Sequence, residues 1–68
     1  MEERIKELRK ALGFTQQECS EKIGVKRNTV AQYEMGRNPP TDTVITLICR
    51  EFNVNEDWLR NGNGPMFL

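Results

Sequence analysis

The sequence predicts an all-α fold, a compact bundle of five helices, on three observations. Apolar residues recur at the three- and four-residue spacing of an amphipathic helix in successive segments. Residues that typically begin or end helices, chiefly Thr, Asn and Gly, stand between these segments. The chain has only 68 residues and no repeat, low-complexity segment or internal linker, so the helices should form one small domain.

The first predicted helix covers residues 2–12. Ile5, Leu8 and Leu12 recur along one face of it and supply its apolar side. Acidic residues at its start and a lysine near its end suit the helix dipole. Gly13 follows and is a natural place for the helix to stop.

The segment from Thr15 to Arg37 predicts two short helices joined by a tight turn. Thr15 and Glu18 have the Thr-x-x-Glu spacing of a capping box, which begins the second helix. Gly24 ends it, because glycine adopts a positive φ at little cost. The third helix then runs from about Lys26 to Met35.

These two helices fit the steric demands of a helix-turn-helix, in which the second helix lies in the DNA major groove. Small Ser20 lets the helices approach closely. Apolar or amphipathic residues converge on one core around the turn: Cys19, Ile23, Val25, Val30 and Tyr33.

The fourth and fifth helices complete the bundle. Thr41 or Asp42 caps the fourth helix, which carries a wide apolar stripe and runs to about Phe52. Asn55 caps a short fifth helix. Residues 1–62 are therefore expected to form the domain, and residues 63–68 an apolar tail that is either a dimer contact or the start of a linker.

Composition excludes several classes of protein. Cys19 and Cys49 lie on apolar helix faces and are interpreted as reduced core residues, with a disulfide as the alternative. There is no histidine and no nucleophile paired with a base, so we expect no metal, no cofactor and no enzymatic activity. No apolar run approaches a membrane span and the charged start is not a secretory signal, so a cytoplasmic location is expected.

Charge is unevenly distributed. The 10 basic and 10 acidic residues cancel, which argues against a general polyanion binder. Between Lys22 and Arg37, however, four basic residues face one acidic residue, a local charge of +3. The positive part of the chain therefore coincides with the predicted helix-turn-helix.

The outer face of the third helix carries the residue types that recognise base edges. Arg27 can bond guanine bidentately, and Asn28 and Gln32 can do the same with adenine. Lys26 and Thr29 flank them and could reach phosphates or bases. A plain solvated helix face is the alternative, and the helix-turn-helix setting favours base contact.

Phosphate contacts are expected on either side of that face. The start of the second helix offers free N–H groups and a positive dipole end, with Gln16 and Gln17 as additional donors. Arg37 and Asn38 follow the third helix and could hold the other side. The alternative is a capped helix end with solvated side chains.

At these residues the chain resembles the phage-repressor and Cro-like (XRE) helix-turn-helix family, whose fold is the five-helix lambda-repressor type. The resemblance is carried by RIKELRKALGFTQQECSEKIGV, NTVAQYEMGR and ICREFNVNEDWL. It implies that Gln16 contacts a phosphate and that the three polar residues of the third helix read bases. It also implies a partly buried ion pair between Arg9 and Glu34, in place of two solvated charges.

The resulting hypothesis is a transcriptional regulator, expected to act as a repressor, that binds a double-stranded DNA operator. Because family members commonly dimerise near the fifth helix, a homodimer is expected through Trp58, Leu59, Met66 and Phe67, although Trp58 also suits a core position. The alternative is a protein-interaction module of the same fold, an antitoxin or anti-repressor. The chain could be a compact Cro-like protein or a piece of a longer regulator.

Overall fold

Five α-helices follow one another along the chain, as the sequence predicts. A computed structural model describes all residues from Met1 to Leu68. The helices are α1 (Glu2–Ala11), α2 (Gln16–Ile23), α3 (Arg27–Met35), α4 (Asp42–Phe52) and α5 (Glu56–Asn61). The observed ends differ from the predicted ones by about one residue, the usual uncertainty of helix termini. None of these helices has the length and apolarity needed to cross a membrane.

Side-chain caps fix where three of the helices begin. Thr15 accepts from the Glu18 amide at 3.1 Å, and the Glu18 carboxylate accepts from the Thr15 amide at 2.9 Å, which completes the predicted capping box. Thr41, rather than Asp42, caps α4 by accepting from an amide one turn on. Asn55 caps α5 in the same way.

The tight turn between α2 and α3 has the expected geometry. Ser20 is only 1% exposed at the place where the two helices approach, and its hydroxyl donates to the Gln17 carbonyl at 2.6 Å. Gly24 has φ +76°, in the left-handed region that favours glycine. The Val25 amide donates back to the Ser20 carbonyl at 3.0 Å and closes the turn.

One apolar core lies between the helices. Its twelve buried residues come from all five helices and from the α4–α5 turn: Ile5, Leu8, Cys19, Ile23, Val30, Tyr33, Ile45, Ile48, Cys49, Val54, Trp58 and Leu59. Both cysteines are buried free thiols, and burial raises the pKa of each. Leu12 and Val25, both expected in the core, are half-buried against it.

The apolar tail folds back onto the domain. The Asn55 amide donates to the Met66 carbonyl at 2.8 Å, and the Leu68 amide donates to the Asn53 carbonyl at 3.1 Å. Val54 and Phe67 face each other in an isolated antiparallel bridge. The tail, expected to be a dimer contact or the start of a linker, is thus hydrogen-bonded to the α4–α5 turn through Met66 and Leu68.

Candidate nucleic-acid interface

The side chains of α3 divide into a buried face and an outer face. Val30 has no exposed surface and Tyr33 is 5% exposed, so both hold the helix on the core. Arg27, Asn28 and Gln32 are exposed. The helical period brings Asn28 and Gln32, four residues apart, to the same face, with Arg27 beside them. The three residues that sequence analysis named as base readers therefore form one open surface.

Lys26 and Thr29 flank this surface and differ in their exposure to solvent. Lys26 is the N-cap residue of α3 and is exposed, although its side chain makes no capping bond. Thr29 is half-buried. The ammonium group of Lys26 is thus open to an anion, whereas Thr29 offers only part of its side chain.

An ion pair ties α3 to α1. Arg9 Nε donates to Glu34 Oε2 at 2.6 Å, and Arg9 Nη2 donates to Glu34 Oε1 at 3.1 Å. The side chains are 13% and 4% exposed. These hydrogen bonds raise the pKa of Arg9 above its ordinary value, so the guanidinium stays charged. The structure thus brings together the two residues that the family resemblance paired.

The same ion pair also reaches α2. Gln16 Nε2 donates to Glu34 Oε1 at 3.3 Å, and Arg9 Nη1 donates to the Phe14 carbonyl at 2.8 Å, just before α2 begins. Glu34 therefore joins three elements at one carboxylate. We define the Glu34 network as Arg9, Glu34, Gln16 and the Phe14 carbonyl. It connects both helices of the helix-turn-helix to α1 and to each other.

The start of α2 retains free amides for an anion. Thr15 accepts from the Glu18 amide, whereas the amides of Gln16 and Gln17 have no acceptor within the helix. The side chains of these two glutamines already have partners, since Gln16 donates to Glu34 and Gln17 Nε2 donates to Glu21 at 3.0 Å. A phosphate here would meet backbone amides first.

The loop after α3 touches the outer face of α3. Arg37 and Asn38 are both exposed. Asn38 Nδ2 donates to Gln32 Oε1 at 3.4 Å, which leaves the amide protons of Gln32 free to donate outward. Two residues assigned to different roles from sequence therefore make contact.

The exposed charges of the segment from Lys22 to Arg37 are all positive. Glu34 is its only acidic residue, and that carboxylate is buried and paired with Arg9. Lys22, Lys26, Arg27 and Arg37 are exposed. The structure thus makes the surface of this segment more positive than a count of its residues implies.

The residues proposed for a dimer contact differ in how much of their surface is exposed. Leu59 has no exposed surface and Trp58 is 8% exposed, because both fill the core beneath α5. Met66 is half-buried against that core. Phe67 is 37% exposed and Leu68 is 80% exposed. An apolar surface that a second chain could touch is therefore found on the tail and not on α5.

One arginine, Arg4, makes contacts that the sequence does not predict. Arg4 Nε donates to the Leu59 carbonyl at 2.9 Å, and Arg4 Nη2 donates to the Arg60 carbonyl at 3.0 Å. The only signal in the sequence is that Arg4 is a basic residue in the first turn of α1, where acidic residues are otherwise found. That signal is weak, because the acceptors are main-chain carbonyls, which every residue carries.

Comparisons with known proteins agree with this geometry. A helix-turn-helix family model matches residues 5–59. YgzD, an uncharacterised HTH-type transcriptional regulator of Bacillus subtilis, is 38% identical over 66 residues, which cover 93% of this chain and all of YgzD. The HTH-type transcriptional regulator ImmR of Bacillus subtilis is 40% identical over 57 residues. The antitoxin PezA of Streptococcus pneumoniae is 39% identical over 51 residues.

These relatives differ in length. The matched residues are 82% of this chain and 44% of ImmR, and 75% of this chain and 32% of PezA. The matching family model covers α2, α3 and α4, most of α1 and the first four residues of α5. The chain belongs to the helix-turn-helix family of transcriptional regulators that includes the phage-repressor and Cro-like (XRE) proteins.

Proposed function

We propose that this chain binds double-stranded DNA sequence-specifically and regulates transcription, with α3 in the major groove. One observation carries the proposal. Arg27, Asn28 and Gln32 stand open on one surface of α3, while the Glu34 network anchors the inner side of the same helix. A rigid helix with free polar side chains is what direct readout requires.

Base readout follows from the donors and acceptors on this surface. Arg27 presents a planar guanidinium that matches the two acceptors of guanine in the major groove. Asn28 and Gln32 each offer an amide that matches adenine. Gln32 Oε1 accepts from Asn38 at 3.4 Å, which leaves its second lone pair for the amino group of adenine and its amide protons for N7.

Phosphate contacts come from both ends of the helix-turn-helix. The free amides of Gln16 and Gln17 would bind a phosphate at the start of α2. Lys26 and Arg37 would neutralise others, with Gln17, Thr29 and Asn38 as neutral donors where their side chains reorient. Since the whole chain has no net charge, nonspecific affinity depends on this local surface.

Repression is the regulatory outcome we propose, through a homodimer. A two-fold pair would place two copies of α3 in successive major grooves, about 34 Å apart. Met66 and Phe67 on the tail supply the contact, supported from beneath by Trp58 and Leu59. Such a dimer on a promoter would block polymerase.

Selection of bound sites from random duplex DNA tests the proposal. We expect a palindromic consensus whose half-site contains guanine and adenine at the positions facing α3. The variant Arg27→Ala should lose the preference at one base pair, whereas Arg50→Ala, which removes the same charge from the exposed part of α4, should keep it. No enriched sequence at low salt would contradict the proposal.

A protein-interaction module is the second candidate, because one relative, PezA, is named an antitoxin. In that case α3 would serve as scaffold and a protein partner would occupy another surface. The double variant Arg27→Ala with Gln32→Ala separates the two functions. DNA regulation requires that this variant lose its consensus, while a module that binds only protein would show no DNA affinity to lose.

A further inference from the structure

A single arginine of α1 holds the C-terminal end of α5. Arg4 donates from Nε to the Leu59 carbonyl and from Nη2 to the Arg60 carbonyl, across 55 and 56 residues of sequence. A third guanidinium nitrogen, Nη1, lies 3.2 Å from the position that a Cβ on Gly62 would occupy. The guanidinium therefore covers the last turn of α5 and the glycine that ends it.

These hydrogen bonds satisfy two carbonyls in the last turn of α5. A helix leaves its final four carbonyls without partners inside the helix. The amides of Gly62 and Asn63 turn back to the carbonyls of Trp58 and Asp57, at 2.8 and 3.4 Å. That closure leaves the carbonyls of Leu59 and Arg60 to Arg4, whose positive charge also suits this end of the helix dipole.

The other polar ties of α5 are weaker. The Arg60 side chain donates to Asp42 of α4 at 2.9 Å and to Glu56 at 2.7 Å, but Asp42 is 90% exposed. Exposed ion pairs of this kind contribute little and are screened by salt. Arg4, by contrast, is half-buried and binds two main-chain carbonyls in a fork.

Helix α1 is thereby attached both to α3, which carries the proposed base-reading side chains, and to α5. Arg9 joins α1 to α3 through Glu34, and Arg4 joins α1 to α5. The two arginines are five residues apart, about 7.5 Å along the helix axis. Besides the core packing of Trp58 and Leu59, α1 thus gives α5 a polar attachment to the segment that also holds the reading helix. The tail is hydrogen-bonded to the turn that leads into α5.

We propose that Arg4 is a positioning residue that sets the half-site spacing of the operator. This inference rests on the proposed function, a dimer that uses the tail beside α5. In such a dimer the distance between the two α3 helices depends on how each protomer orients α5. One added base pair moves a half-site by 3.4 Å and rotates it by about 35°. A less firmly held α5 should therefore let the dimer bind operators with a wider range of half-site spacings.

The test uses the full chain and palindromes built from its own selected half-site, with the spacer lengthened or shortened by one and two base pairs. Four proteins are compared: wild type, Arg4→Gln, Arg4→Lys and Ile45→Val. Ile45 is a buried residue of α4 that does not touch the Arg4 hydrogen bonds, so Ile45→Val controls for a general loss of stability. Binding is measured well below the melting temperature of each protein.

We expect wild type to bind the best spacing at least tenfold tighter than a spacing changed by one base pair, and Arg4→Gln to reduce that ratio below threefold. Half-site mismatches should cost both proteins the same. Compared with Arg4→Gln, Arg4→Lys should recover part of the melting temperature but little of the preference for the best spacing. A lysine ammonium cannot donate to both carbonyls with the planar, two-pronged geometry of a guanidinium. Ile45→Val should keep the wild-type ratio.

Two results would overturn the inference and leave DNA binding intact. In the first, Arg4→Gln melts lower but keeps the tenfold ratio, so that Arg4 only stabilises the fold. In the second, wild type binds a half-site with no spacing preference at all. Failure of wild type to bind any selected duplex is a different result and would overturn the proposed function itself.

Discussion

Arg9 on α1 donates two hydrogen bonds to Glu34 on α3, and only 4% of the Glu34 side chain is exposed. This pair joins the helix that carries the proposed base-reading side chains to the first helix of the domain. Gln16 adds a third element by donating to the same carboxylate. One buried carboxylate on α3 is therefore shared by three elements, and we propose that it orients α3.

Removing one member of this pair should destabilise the domain strongly. Glu34→Ala leaves the Arg9 guanidinium buried without its carboxylate, and we expect a loss of about 3 kcal/mol in the free energy of unfolding. The double variant Arg9→Met with Glu34→Leu should recover most of that loss, because apolar side chains of similar size need no partner. Urea denaturation measures both, with the exposed Glu7→Ala as control.

Recovery of stability need not restore DNA binding. The double variant keeps packing but loses the directional bonds to Gln16 and Phe14, so we expect it to bind the selected operator at least tenfold more weakly than wild type. If the double variant binds as wild type does, the Glu34 network has no role in orienting α3. If Glu34→Ala is as stable as Glu7→Ala, the pair adds nothing to stability.

The capping box of α2 should make stability depend on acidic pH. Hydrogen bonds from the Thr15 amide hold the pKa of the Glu18 carboxyl below its ordinary value. A carboxyl with a lowered pKa in the folded state stabilises the fold above its unfolded pKa, and this contribution is lost as pH falls through the lower folded pKa. Stability should therefore decline in the acid range, below the unfolded pKa of a glutamate.

Glu18→Gln isolates this contribution. The variant keeps an acceptor for the Thr15 amide but cannot titrate, so its melting temperature should fall less steeply with pH than that of wild type. Glu2 also has a lowered pKa, caused first by a hydrogen bond to its own backbone amide, so Glu2→Gln is the second variant to measure. Equal acid dependence in wild type and Glu18→Gln would show that the cap does not titrate.

The two thiols should resist modification in the folded chain. Burial raises the pKa of Cys19 and of Cys49, so less of each thiol is in the reactive thiolate form at neutral pH. We expect reaction with a disulfide reagent to be at least tenfold slower than in urea, where both thiols become exposed. Cys19→Ser and Cys49→Ser assign the two rates, and equal rates in native and denatured protein would contradict the burial of the thiols.

The order of the helices could be predicted because its determinants are local. The Thr15–Glu18 box, the glycine at position 24 and the asparagine at position 55 each act on residues within one turn. The surface of α3 follows from helical periodicity in the same way. These features need no knowledge of the rest of the chain.

What sequence could not predict depends on contacts between distant segments. The tail has only three apolar residues, too few for a strand pattern, and its partner is the main chain of the α4–α5 turn. Arg4 likewise binds carbonyls, which carry no sequence signature. Leu59, expected at the dimer contact, is buried instead, because α5 packs with this side chain in the core.

Base contacts and phosphate contacts should respond differently to substitution. Arg27→Ala removes a guanidinium that we propose reads a base, so we expect a loss of about 1–3 kcal/mol in binding and relaxed selectivity at one position. Lys26→Ala should weaken binding to all sequences alike. It should also reduce the slope of the logarithm of the binding constant against the logarithm of salt concentration by about the amount of one phosphate contact per protomer. Titrations of the selected site and of single-base variants at several salt concentrations distinguish the two patterns.

The opposite assignment is also recognisable in these titrations. Arg27→Ala with unchanged selectivity and a smaller salt dependence would show that Arg27 binds phosphate. The exposed Arg50→Ala serves as the control for charge alone, because it removes one positive charge from α4. It should change neither the selectivity nor the salt dependence.

The apolar tail should carry the dimer contact. Phe67 and Leu47 are each 37% exposed, so they make a matched pair of surface hydrophobic residues, one on the tail and one on α4. We expect wild type to sediment as a dimer and Phe67→Lys as a monomer at the same concentration, because burying a lysine without a partner at the contact is costly. Leu47→Lys should remain dimeric.

Since the Val54–Phe67 bridge is made by main-chain groups, Phe67→Lys should still fold, as its circular dichroism would show. A monomeric wild type at high concentration would contradict the homodimer itself, and equal dissociation by Leu47→Lys would place the contact elsewhere.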